Sequence, residues 1–352
     1  MGKTIVIISL NFRPAHIAHL VANYMQAKEL GMKPLLLVAP GFIPFLPDGI
    51  DYITSFDEIK SADYAIFWFP AKQNIAAMIR LRLKFHSKIV YVFHEPIESY
   101  STYIKSGNSH VWTIQFYLKY CFSLIFLLLS HKVILPSNKA LKMYDSQICR
   151  LLNKNRCYLP LLYYDEAKTI RGNRKYISYI GTISKDHAFD KYIDMIYYLF
   201  KENCTEDSLC FQIATRFNVE RDNRIQEMIE ANRLIINDGH PLSDEEINEA
   251  YSSSYMVWNA YHRTTQSGVM AKAFMFGTPA IVLKKNLSEF MTDRGNVFAC
   301  ENNSDLDSLK VAVIYIYNHF EEMSKTARDT FMRCFDYKNH NVSMKKLLES
   351  IQ

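Results

Sequence analysis

Short apolar runs alternate with amphipathic stretches along nearly the whole chain, and the series occurs twice. The first run, residues 4–10 (TIVIISL), is apolar at almost every position, as in a strand covered on both faces. The spacing then predicts a helix over 15–30, with Ile17, Leu20, Val21, Tyr24 and Met25 on one face and Gly31 as its cap. Strands follow at 34–39, 51–53, 64–69, 89–93, 132–135 and 157–162, with a short helix at 57–61 and a longer one at 74–85. A second series places strands at 176–180, 209–214, 234–237, 255–259 and 280–283. Its helices fall at 189–201, 222–232, 243–252 and 269–276. Helices at 289–292 and 304–320 flank a short strand near Val297, and the tail from Ser324 is helical. Such alternation predicts an α/β protein with parallel, doubly wound sheets.

A chain of 352 residues suggests two domains, and 49% hydrophobic against 22% charged content lets both bury a core. The expected division is 1–163, a polar linker at 164–175, 176–323, and a C-terminal helical segment, 324–352, packing back on the first domain. Seven cysteines without a CxxC pair, and an N-terminus without a signal-peptide pattern, lead to the expectation of reduced thiols in cytoplasm.

The net charge of +5 is unevenly spread. Residues 1–163 hold 18 Lys and Arg against 9 Asp and Glu, or +9, whereas 164–352 hold 23 against 27, or −4. A basic half attracts phosphate-rich partners such as an anionic membrane surface or a lipid pyrophosphate. Nucleic acid is not expected, since no helix-turn-helix signal accompanies the charge. The run Arg80, Arg82, Lys84, His86, Lys88 reads either as a solvated face or as a membrane contact. The apolar run 116–129, broken by Lys119, falls short of the roughly 20 residues of a membrane span. It reads first as a buried helix and second as a monotopic membrane contact.

Ligands of doubly wound sheets lie beyond the carboxyl ends of the strands. That position belongs to Asn11, Arg13 and His16 after the first strand, and to His94, Glu95 and Pro96 after a later one. His19, one turn beyond His16, either faces the same place or solvent. In the second series the outstanding stretch is residues 261–282, YHRTTQSGVMAKAFMFGTPAIV. Thr264, Thr265, Gln266 and Ser267 offer polar side chains and amides, and Gly268 lets backbone approach a ligand closely. A helix starting at Val269 would present its positive end to a phosphate. Gly277 closes that helix and Pro279 stops it. Ser243 and Glu246 form a capping box at the preceding helix. No Asp-x-Asp pair stands in a suitable place, so no metal and no other cofactor is expected.

In this order the elements resemble the GT-B fold glycosyltransferases, specifically the group 1 / family 4 class. The resemblance is carried by the strand–glycine opening at Gly181, the Gly239-His240 turn, Gly277-Thr278-Pro279, and Gly295 with Val297. It implies two Rossmann-like domains facing each other across a cleft. The C-terminal one would hold a nucleotide-sugar, UDP- or GDP-linked, and the N-terminal one an oligosaccharide or lipid-linked acceptor. In that family His94 would approach the donor sugar, with Asn11, Arg13, His16 and Glu95 on the acceptor side. Two family glutamates fall on Thr264 and Lys272, and the pyrophosphate-binding Arg and Lys fall on Thr182 and His187. Lys185 or Arg216 would supply missing charge, His240 would offer backbone to the nucleobase, and Gly181, Gly268 and Val269 would line the cradle. The resemblance further implies a bacterial-type enzyme of surface polysaccharide synthesis (capsule or O-antigen), retaining in stereochemistry, on the cytoplasmic membrane face. The alternatives are a non-catalytic nucleotide-sugar-binding partner subunit and a UDP-sugar epimerase of the same fold.

Overall fold

The structure, a computed structural model, describes all residues except 1, 13–15, 69, 95, 147–148, 168–173, 203–209, 264–267 and 352. The chain divides into two compact units. Met1–Ile104, Ser109–Tyr164 and Phe335–Gln352 form unit 1, and Lys105–Asn108 with Asp165–Cys334 form unit 2.

Unit 1 runs β1 (Thr4–Ser9), α1 (Ile17–Glu29), β2 (Lys33–Val38), β3 (Tyr52–Ile53), β4 (Tyr64–Phe67), α2 (Lys72–Phe85) and β5 (Lys88–Val92). It continues with α3 (Tyr100–Lys105), α4 (His110–Leu129), β6 (Lys132–Leu135), α5 (Asn138–Asp145), α6 (Cys149–Leu152) and β7 (Arg156–Tyr158). The seven strands form one parallel sheet in the order β3-β2-β1-β4-β5-β6-β7. Val6, Ile8, Phe67, Tyr91 and Phe126 belong to its core; burying each such side chain stabilises by roughly 1.5–3 kcal/mol.

Unit 2 runs β8 (Tyr176–Ile180), α7 (Phe189–Lys201), β9 (Cys210–Ala214), α8 (Asn223–Glu230), β10 (Leu234–Asn237), α9 (Asp244–Ser252) and β11 (Ser254–Asn259). After these come α10 (Gly268–Met275), β12 (Ala280–Leu283), β13 (Val297–Cys300), α11 (Leu306–Asn318) and α12 (Phe320–Cys334). Its six parallel strands are ordered β10-β9-β8-β11-β12-β13, so the winding reverses between β8 and β11. Local signals place several ends. Ser137 caps α5 through the Ala140 amide, the Ser243–Glu246 capping box opens α9, and Gly277 takes φ +63 after α10.

Four expectations are corrected. Residues 289–292 form a turn, because buried Asn296 accepts from the Thr292 amide and donates to the Phe290 carbonyl in place of helical bonds. The apolar run extends back to His110, where Ser109 caps α4. Only Thr113, Ser123, Phe126 and Leu127 of α4 are buried, so it is not a core helix. His19 is buried, donating Nδ1–H to the Leu162 carbonyl at 2.9 Å and stacking on Trp68. The return to unit 1 comes at Phe335, later than residue 324. There Tyr163 and the 335–337 backbone exchange hydrogen bonds, and α13 (Asn341–Glu349) follows.

Candidate functional site

At the reversal point of unit 2, the chain leaves β8 through Gly181 at φ +121. A Cβ there would stand 3.3 Å from Cγ2 of Val269, in the first turn of α10. Glycine therefore lets the exit of β8 touch the amino-terminal end of α10, beside Gly268. That end is the positive pole of the helix dipole.

The loop after Gly181 is held in one shape. Thr182 and Lys185 are exposed. The Thr182 carbonyl lies 2.7 Å from His187 Nδ1, and a carbonyl only accepts, so Nδ1 carries the proton. The His187 ring stacks on Tyr261 with centroids 4.2 Å apart, and Trp258 Nε1 donates to the His187 carbonyl. Asp186 ties this loop to the one after β11. Its carbonyl accepts from the His262 amide, and its carboxylate meets Arg263 at 3.5 Å and Asn108 Nδ2 at 3.1 Å. Burial, then Lys285, lowers the His262 pKa. Tyr261, Trp258 and Asp186 carry no motif; position after a strand is the one sequence signal of Tyr261 and Asp186, and Trp258 lies within β11.

Arg216 follows β9, exposed, with its guanidinium 5.1 Å from the Phe217 ring centroid. His240 follows β10 and reaches Glu246 of the capping box. It donates Nδ1–H to the Asp238 carbonyl and lies 3.3 Å from a Glu246 carboxylate oxygen that also accepts from Asn237. These bonds raise the His240 pKa, Asp238 first; the Asn237 hydrogen bond, then the Ser243 amide, push Glu246 down to about 2. Thr264, Thr265, Gln266 and Ser267, with Arg13 and Glu95, lie outside the described residues.

Lys272 points into a protein carboxylate. Its ammonium sits 2.7 Å from Glu166 Oε1, while Asn248 donates to Glu166 Oε2 at 3.0 Å. The far end of α10 is equally occupied. Arg174 is buried and donates to the carbonyls of Phe276, Tyr251 and Ser254 and to Thr278 Oγ1; Thr278 donates in turn to Tyr251. Burial lowers the Arg174 pKa to about 10. Arg328 donates to the Met275 carbonyl and pairs with Asp165. Two guanidiniums therefore meet the negative end of α10. Arg174, Asp165 and Glu166 come from the stretch expected to be a plain polar linker.

In unit 1 the carboxyl ends of β1, β4 and β5 gather an aromatic cluster. The His16 ring lies 5.9 Å from His94, 6.1 Å from Trp68 and 5.8 Å from His19. Trp68 Nε1 donates to Asn23, and Asn74 Oδ1 accepts from the Leu10 amide, fixing the turn before Asn11. His16 and His94 are thus brought together, and Trp68, Asn23 and Asn74 complete the group. Among the described residues no set of three His, Cys, Asp or Glu side chains is placed to hold a metal ion.

No family model matches the chain, and no curated protein matches its sequence. Solved structures do. Anabaena HepE, in complex with UDP-glucose, superposes with a TM-score of 0.69 at 11% identity, over 99% of this chain and 100% of that one. A glycosyltransferase from Rickettsia africae gives 0.67 at 13% identity, over 99% and 98%. Sucrose-phosphate synthase from Thermosynechococcus elongatus gives 0.66 at 12%, over 99% and 98%. At such identities the likeness is one of fold, and it extends over the whole chain: two Rossmann-like units, wound as in these enzymes, give this protein the GT-B fold.

Proposed function

We propose that the protein transfers a glycosyl group from a nucleotide-sugar, UDP- or GDP-linked, to a saccharide acceptor. The observation that carries this reading is the close approach of the β8 exit, at Gly181, to the first turn of α10, at Val269, at the reversal point of the sheet, where the positive end of a helix suits a diphosphate. HepE binds UDP-glucose with the same fold. In the reaction the acceptor hydroxyl oxygen bonds to the anomeric carbon as the bond to the diphosphate oxygen breaks. The electron pair leaves with the nucleoside diphosphate, which also takes the hydroxyl proton. Charge developing on that diphosphate is stabilised by the α10 amides and by Lys185, His187 or Arg216. With Nδ1–H given to Thr182, His187 would donate to a phosphate through Nε2–H as the imidazolium.

We assign His94 as the catalytic histidine and His16, with Asn11 before it, to the acceptor side. The acceptor is taken to be lipid-linked, the pathway bacterial surface polysaccharide synthesis, and the stereochemistry retaining. A thermal-shift screen with UDP-, GDP- and CMP-sugars tests the donor site: one nucleotide class should raise the midpoint. No shift with any of them overturns the assignment. Transfer to acceptors in a membrane extract, with the product anomer read by NMR, then tests the chemistry. A second reading, a binding subunit without turnover, is favoured by the Lys272–Glu166 ion pair, because the family places a ribose-holding carboxylate at Lys272. Nucleotide-sugar binding without transfer across that panel would select it.

A further inference from the structure

The outward side of α4 is apolar from end to end. Val111, Ile114, Leu118, Phe122, Ile125 and Leu128 recur at three- and four-residue spacing and all are exposed, Leu118 to 66%. Two of the four buried residues of this helix, Thr113 and Ser123, are small and polar. A helix of a water-soluble surface has the opposite arrangement. Its neighbours extend the face. Arg82 of α2 donates to the Leu129 carbonyl, and Leu83 of α2 is 74% exposed. Tyr120 of α4 bonds Cys149 of α6, and Leu151 of α6 is 76% exposed.

Charge identifies the occupant. No Asp or Glu occurs between Asp63 and Glu95, or between Glu98 and Asp145. Every ionised side chain on α2 and α4, Lys72, Arg80, Arg82, Lys84 and Lys119, is therefore cationic, as is Arg150 on α6. An apolar face whose own helices, α2, α4 and α6, carry only cations complements an anionic bilayer surface, acyl region against the stripe and headgroups against the rim. A second copy of the chain would set cation against cation. By length and composition α4 is also able to cross a membrane. Its topology forbids that: α4 joins β5 to β6, which pair in parallel (Val90 with Lys132, Val92 with Ile134), while Phe126 and Leu127 lie in the core. We propose that α4, with the adjoining edges of α2 and α6, lies flat on an anionic lipid bilayer, burying its apolar stripe for about 30 Å, at 1.5 Å per residue. The inference is independent of whether the chain transfers sugar.

The test uses the full chain and vesicles of phosphatidylcholine with and without about one-third phosphatidylglycerol. Of the three tryptophans, Trp68 and Trp258 are buried and Trp112 is exposed on α4, so a fluorescence blue shift on vesicle addition reports this helix. Expected are co-sedimentation with the anionic vesicles, a blue shift absent in W112F, and weakening by salt. A combined L118E and F122E variant, its thermal midpoint unchanged because both side chains are exposed, should lose about tenfold or more in partitioning. Absence of vesicle binding overturns the proposal, as does binding that survives L118E with F122E. A dimer in solution that these substitutions dissociate, without vesicle binding, would assign the face to a second copy instead.

Discussion

Lys272 shows what a single position contributes. The buried ammonium is balanced by Glu166, and removing one member of such a pair leaves the other uncompensated. K272E brings two carboxylates together and is expected to cost about 3 kcal/mol in urea unfolding. Adding E166K should recover most of that loss; no recovery would mean the two side chains are energetically uncoupled. The sequence places Lys272 on a helix five residues before Gly277, and no more than that. Its partner lies far away in the chain, inside a segment whose polarity reads as a linker. Gly181 is the opposite case. Glycine directly after an apolar strand is a local signal for a close approach, and the structure supplies the neighbour, Val269. Histidine lies between these cases. His94 and His16 are legible from their place after strands, whereas His19 gives no sign in its own helix that Trp68 and Leu162 cover it.

α10 is set by both of its ends. The amino-terminal end meets Gly181, and the carboxyl-terminal end is met by Arg174 and Arg328. R174M removes donors from four oxygens and should lower stability by about 3 kcal/mol, measured by chemical denaturation with secondary structure checked by circular dichroism. A loss within experimental error would mean that those acceptors find other donors. The Gly277-Thr278-Pro279 turn gains a physical reason here: Thr278 is buried between Arg174 and the Tyr251 carbonyl. The turn itself is readable from glycine and proline, which restrict φ locally; the arginine beneath it is not. α4 carries the same lesson. Its helical period is plain in the sequence, yet an apolar period alone does not say whether a sheet or the exterior receives the stripe.

Over the whole molecule, two parallel sheets with separate cores make two cooperative units. Calorimetry should therefore resolve two transitions. The nucleotide-sugar selected by the screen, at about 100 times its Kd, should add about 2.7 kcal/mol to one of them. R174M should lower that same transition, since both act in unit 2. A single transition moved by both would show that the units unfold as one. The sequence by itself determined the run of strands and helices, most of their ends, and the glycines and caps that punctuate them. Those features depend on hydrophobic period and on φ limits among consecutive residues. Only the tertiary structure decided that β8 lies between β9 and β11, that His187 rests on Tyr261, that Glu166 neutralises Lys272, and that α4 turns its apolar side outward. Each of these depends on which distant segments the strand order brings into contact, and no local period encodes that order.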